Sequence, residues 1–273
     1  MRTVVITGSA RGFGLAMLKE FRRNNFNVVI CDMNEESILE AKEELERINS
    51  NGKIIAIRAD ITKEEDIERV IKITLEDTKK IDIWINNAGV NQPNKRIWKL
   101  DKKTIDRLID IDLKGTILCS NKILPVFLKQ NSGALYNIEG HGSNDATITG
   151  LSLYGTAKRG VTYFTEALAH EVSEVNSNIC IGKIAPGIMI TNFIHTSLGD
   201  GEEIELDEKT KKVYNILGDY PETIAKYIVK KVISNKKNNV KFTWLTNSRA
   251  AWRFMTFAFN KKNYFEKKRK FLD

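Results

Sequence analysis

Seven short runs rich in β-branched and apolar residues, near 2–7, 27–31, 53–58, 81–85, 133–138, 178–184 and 240–245, recur along the chain with longer amphipathic stretches between them. This alternation predicts a parallel sheet, because a strand rejoins a parallel neighbour only through a crossover long enough to hold a helix. Runs as apolar as Asn27-Val28-Val29-Ile30-Cys31 and Ile81-Asp82-Ile83-Trp84-Ile85 have no continuous polar face, so both sides of the sheet need cover. The expected fold is α/β: a three-layer, doubly wound parallel sheet with right-handed crossovers. A chain of 273 residues fits one large domain of this class. The stretch 35–49 reads as one of its helices, with Ile38, Leu39, Ala41, Leu45 and Ile48 on the core side and Gly52 after its end.

The first run leads into Thr7-Gly8-Ser9-Ala10-Arg11-Gly12-Phe13-Gly14. Gly8 permits a sharp bend, Gly12 lets backbone approach a phosphate, and Gly14 allows close helix packing, with the helix amide groups facing the anion. A glycine turn between a strand and a helix is the pyrophosphate seat of a Rossmann fold. Asp32 ends the second strand, where a carboxylate accepts hydrogen bonds from both adenosine ribose hydroxyls and repels a 2′-phosphate. The expected cofactor is therefore NAD in preference to NADP. Arg11 points the other way if it pairs with an extra phosphate, and is otherwise a solvated loop charge.

Tyr154-Gly155-Thr156-Ala157-Lys158 lies downstream. On a helix the Tyr and Lys share one face, where the ammonium favours phenolate in a side chain whose free pKa, about 10, makes it a poor base at neutral pH.

The spacing Gly-x3-Gly-x-Gly, with Thr7 before it, and the Tyr-x3-Lys pair resemble the short-chain dehydrogenase/reductase family. Further motifs follow in that family's order over about residues 1–245. The resemblance implies that Asp60-Ile61 contacts the adenine amino group and that Asn86-Asn87-Ala88-Gly89 supports the sheet beside the adenosine. Pro186-Gly187, with Thr191, is implied to hold the nicotinamide carboxamide and phosphates. Tyr154 is implied to transfer the proton at the substrate oxygen, and Lys158 also to bind the nicotinamide ribose. Homodimers or homotetramers through helices near 101–130 and 152–175 are a further implication.

Two positions depart from the pattern. The family's substrate-orienting Ser falls on His141, whereas Ser143 lies two residues later in Glu139-Gly140-His141-Gly142-Ser143. Ser143 is the preferred donor, because Asn-x-Glu/Asp-Gly-x-Gly-Ser before Tyr-Gly-x-x-Lys is similar to the chlorophyll b reductase-like branch; His141 is the alternative. That likeness carries no pigment substrate with it. Glu139 is a local acid or a loop carboxylate satisfied by backbone amides. Asp112 stands where the family has an Asn that holds a relay water beside the Lys. An ionised Asp accepts but cannot donate, and it can pair with Lys158.

The net charge of +8 is uneven: residues 236–273 hold eleven of the 43 Lys and Arg but two of the 35 acids, so the remainder is near −1. With no nucleic-acid-binding signature, a nucleic-acid partner is not expected. The division expected is a catalytic domain over 1–247, then an apolar helix near 250–259 and a basic, loosely held end within 248–273. Such a helix needs cover from the substrate cleft or another subunit, or lies on an anionic membrane. The polar segment 195–220 reads as a mobile excursion, either a substrate lid or a surface loop. Cys31, Cys119 and Cys180 suit small core residues of a reduced, cytoplasmic protein, and no metal-ligand spacing is present. The run 3–7 is too short for a secretory signal and no apolar stretch reaches spanning length. The leading functional reading is an oxidoreductase moving hydride between NAD(H) and a small, lipophilic alcohol or carbonyl substrate. The other is a non-catalytic dinucleotide-binding regulator.

Overall fold

A computed structural model describes residues 1–191, 208–257 and 262–265. All seven expected strands form: β1 Thr3–Thr7, β2 Asn27–Asp32, β3 Ile54–Arg58, β4 Ile83–Asn86, β5 Gly133–Ile138, β6 Ile179–Ala185 and β7 Val240–Thr243. They make one sheet in the order β3-β2-β1-β4-β5-β6-β7, every pairing parallel. Strand order reverses between β1 and β4, and all carboxyl ends lie on one edge, where a doubly wound sheet opens a crevice.

Side-chain parity divides the core. Val4, Ile6, Val28 and Ile30 point to one face, covered by α1 (Gly12–Arg23), α2 (Glu35–Glu46) and α8 (Pro221–Ser234) through Met17, Phe21, Ala41, Leu45 and Ile228. Val5, Val29 and Cys31 point to the other, with α3 (Glu64–Thr78), α5 (Thr116–Gln130) and α6 (Ser152–Val175) supplying Ile67, Ile123, Phe127 and Leu168. The three cysteines are buried free thiols, and burial pushes Cys31 up to about 12. Between α3 and α5 run β4, the short α4 (Lys102–Leu108) and a π-helical turn, Ile109–Gly115.

Three expectations change. In α2, Ile38, Ala41 and Leu45 are buried at helical spacing, but Leu39 is 59% exposed because it lies one residue, about 100°, round the helix from Ile38. The 195–220 excursion contains a helix, α7 (Glu208–Leu217), in which Ile216 is buried; the charged residues around it masked this periodicity. Residues 195–207 lie outside the described residues. The C-terminal helix, α9 (Asn247–Thr256), starts where Thr246 accepts a hydrogen bond from Arg249 N at 3.2 Å, but it buries no residue. Beyond it, Tyr264 is buried and donates to Gly218 O at 3.0 Å while packing edge-on against Tyr220, so part of the expected loose end is docked.

The packing predicts a sharp contrast in urea denaturation. Phe127→Ala, at a fully buried ring pressed against Gly133, should cost about 3–5 kcal/mol, and Leu39→Ala under about 0.5 kcal/mol.

Candidate active site

The glycine turn is held from behind. Gly8 sits at φ +60 and a Cβ there would lie 2.7 Å from Ala88 Cα, so only glycine fits against the end of β4. Asn87 Nδ2 donates to Thr7 O at 3.0 Å and Gly8 O at 2.8 Å, and Thr7 Oγ1 accepts from the N–H groups of Asn87 and Ala88. Ser9 Oγ accepts from Cys31 N at 3.1 Å, tying the turn to β2. Phe13 and Gly14 pack inward, whereas Arg11 is exposed and gives α1 no side-chain cap. A Cβ on Gly12 would meet nothing within 4 Å. Open space therefore faces uncapped N–H groups at a positive helix end, an arrangement that fits a pyrophosphate.

Asp32 extends this cradle. Its Oδ2 accepts from Ala10 N at 3.1 Å and its Oδ1 from Met33 N at 2.8 Å, so the carboxylate is fixed beside the turn with lone pairs to spare. Asp60 is turned into its own loop, accepting from Thr62 N and Thr62 Oγ1, while Ile61 is buried against Gly115 of the π-helical turn. Gly187 follows Pro186 at φ +74 against Leu245, and Thr191 is half-buried at the end of the described segment.

The chemistry-bearing side chains meet beside the carboxyl ends of β4 and β5. Tyr154 and Lys158 share one face of α6, with Lys158 Nζ 5.6 Å from the Tyr154 ring centroid. On the other side Nζ lies 3.0 Å from Asp112 Oδ2, and both charged groups are buried. Val90 N donates to Asp112 Oδ1 at 2.8 Å, whereas the buried Oδ2 has no aligned hydrogen bond and meets the ammonium as an ion pair. Burial raises the Asp112 pKa, while Lys158 and Val90 pull it back. Burial lowers Lys158, but Asp112 and the phenol outweigh this and leave it above the ordinary value. Burial also raises Tyr154; Lys158 opposes this, whereas Asp112 and Tyr214 of α7 add to it. Asp112 thus offsets part of the ammonium's pull on the phenol.

Comparison with known proteins bears directly on this arrangement. The family described as short chain dehydrogenase matches residues 2–200. The chain belongs to that family. It is 28% identical over 281 residues to a probable chlorophyll(ide) b reductase of Arabidopsis thaliana, a match taking in 97% of this chain and 55% of that protein. A chlorophyll(ide) b reductase of Oryza sativa subsp. japonica is 29% identical over 83% of this chain and 65% of its own length. The chain thus spans just over half to about two thirds of these relatives. A 3-ketoacyl-(acyl-carrier-protein) reductase from Brucella melitensis, solved with NADH, shares the fold at a TM-score of 0.76 and 22% identity, over 89% of this chain and 96% of that one.

In this short-chain dehydrogenase the loop after β5 separates the two candidate donors. Ser143 is buried, accepts from Gly140 N at 3.2 Å and donates to Lys158 O at 3.3 Å. Its hydroxyl is engaged with backbone. His141 is half-buried, its Nε2 has no hydrogen-bond partner, and burial lowers its pKa. Glu139 Oε1 accepts from Thr162 Oγ1 at 3.0 Å and Oε2 pairs ionically with Lys241 at 2.6 Å, so side chains, not the anticipated backbone amides, are its partners. Two contributors were not singled out from the sequence. Gln92, buried, accepts from Tyr154 N at 2.8 Å and bonds Gly150 O, and Tyr214 of α7 adds to the rise in the phenol pKa. Gln92, six residues past Asn86, had only its place in the loop after β4 to mark it.

A side chain at Gly140 would run into Tyr154 Oη and come 2.9 Å from Lys158 Cγ. Gly140→Ala should therefore lower the rate of hydride transfer by about 100-fold while calorimetry finds dinucleotide affinity within a factor of a few of the parent.

Proposed function

We propose that this chain reduces a carbonyl compound to an alcohol with NADH, through Tyr154 as the proton donor. The observation that carries this reading is the Tyr154–Lys158–Asp112 cluster beside the glycine turn. When bound, the nicotinamide dinucleotide supplies the hydride that no side chain here provides. The turn from Gly8 to Gly14 and the amino end of α1 hold the pyrophosphate, Asn87, Ala88 and Gly89 back the adenosine side, and Pro186, Gly187 and Thr191 serve the nicotinamide side. Lys158 also takes the nicotinamide ribose. Tyr154 transfers a proton to the substrate oxygen as negative charge develops there. Its raised pKa, to which Asp112 contributes, keeps the phenol protonated at neutral pH and suits reduction better than oxidation.

His141 is our preferred orienting donor over Ser143, supported by its unpartnered Nε2 and by the engagement of the Ser143 hydroxyl with backbone. NAD over NADP is supported by Asp32. Arg58, across from Asp32 in the β2–β3 register and exposed, stands with Arg11 on the opposing side of that choice. A lipophilic substrate is supported by exposed Ile97, Trp98 and Ile148 on the loops after β4 and β5. Exposed Ile117, Leu128 and Tyr163 on α5 and α6 support a homo-oligomer through those helices. We assign the protein to the cytoplasm on its buried thiols.

Tyr154→Phe should remove most turnover, by about 100-fold or more, with cofactor affinity nearly unchanged; full activity in the variant would rule out the proton-transfer role. Asp112→Asn removes a charge that raises the phenol pKa, so the alkaline limb of the reduction pH profile should move to lower pH. A shift to higher pH would contradict the assignment. Calorimetry at matched salt should find NADH bound more tightly than NADPH, with Asp32→Asn narrowing the gap while keeping an acceptor for Ala10 N.

A further inference from the structure

Helix α9 is turned inside out. Its arginines face the protein: Arg253 donates to Leu217 O at 2.8 Å and pairs with Asp219 at 2.5 Å, while Arg249 bonds Trp244 O and lies 3.9 Å over the Trp244 ring. Its apolar side faces out, with Trp252 63%, Phe254 54% and Met255 68% exposed. Trp252 and Met255 stand three residues apart and so share a face. Asp219 fixes this orientation. Its buried carboxylate also accepts from Trp244 Nε1 at 2.7 Å and faces Lys262 at 3.4 Å. Rolling the helix to bury Trp252 would strip Asp219 of Arg253, and an uncompensated buried charge is costly.

We infer that the outward face of α9 docks on an anionic lipid bilayer, lying in the headgroup layer. A tryptophan beside aliphatic and aromatic side chains suits that boundary, where an indole meets both hydrocarbon and water. The occupant is selected by charge: residues 261–270 carry six Lys and Arg against one acid, Glu266. A stretch this basic, joined in sequence a few residues after α9, selects an anionic surface over a second copy carrying the same charge. At ten residues α9 is far short of a bilayer's thickness, so the contact is peripheral. The helix begins just past the carboxyl end of β7, on the sheet edge that carries the candidate site, and docking brings that edge toward the lipid.

The test uses the full chain and needs no turnover, so it stands or falls apart from the proposed reduction. The protein should sediment with vesicles containing phosphatidylglycerol and phosphatidylcholine, not with phosphatidylcholine alone, and should be released as salt rises. Replacing the exposed trio together, Trp252→Ser with Phe254→Ser and Met255→Ser, should weaken vesicle partitioning by roughly tenfold or more, with circular dichroism and solution mass unchanged. No sedimentation with anionic vesicles, equal sedimentation with neutral ones, or unimpaired binding by the triple variant would each overturn the proposal. So would a fall in solution mass in that variant, which would make a second copy the occupant.

Discussion

A lysine and an aspartate buried against each other are expensive to desolvate, and the Lys158–Asp112 pair is held by its 3.0 Å ion-pair contact and by the hydrogen bond from Val90 N to Asp112 Oδ1. Much around the site serves to place these two groups. The π-helical turn carries Asp112 under Gly89, where a Cβ would lie 3.2 Å from Oδ2, and Ile61 braces that turn through Gly115. On the opposite side α6 brings Lys158, with Tyr154 one turn earlier and its backbone held by Gln92. Removing either charge would leave the other without its counterion.

The same pair sets the electrostatics of the phenol. An ammonium alone would draw Tyr154 toward phenolate; with a carboxylate 3.0 Å from that ammonium, part of this pull is offset. Burial of the ring then decides the direction, and Tyr154 is held above its ordinary value. The family relationship gives the scaffold, while the aspartate tunes this particular site.

Much of this was legible in the sequence. The strands were marked by apolar runs, since a parallel strand buried on both faces has little else to be, and the glycine turn was marked by spacing. The possible Asp112–Lys158 pairing followed from residue type at a recognisable position. Leu39 was misplaced because a charged helix with scattered apolar residues permits more than one face. Helix α7 was hidden by the acidic stretch before it. Gln92 acts through hydrogen bonds made across the fold and Tyr214 through its charge effect on the phenol, neither of which a local pattern encodes. The direction in which α9 faces depends on Asp219, some thirty residues earlier, and a helix apolar over most of its surface says nothing about which side will be inward.

The central claim, that these residues form a working hydride-transfer site, is tested most directly with NADH carrying deuterium at the transferable C4 position. Single turnovers would be run against aldehydes and ketones of graded hydrophobicity and the products read by mass spectrometry. The account predicts deuterium in the carbinol carbon of an accepted substrate, a slower step with the deuterated cofactor, and no label in the product from Tyr154→Phe on that timescale. Tight NADH binding with no label in any product across the series would contradict it and leave a dinucleotide-binding protein without chemistry.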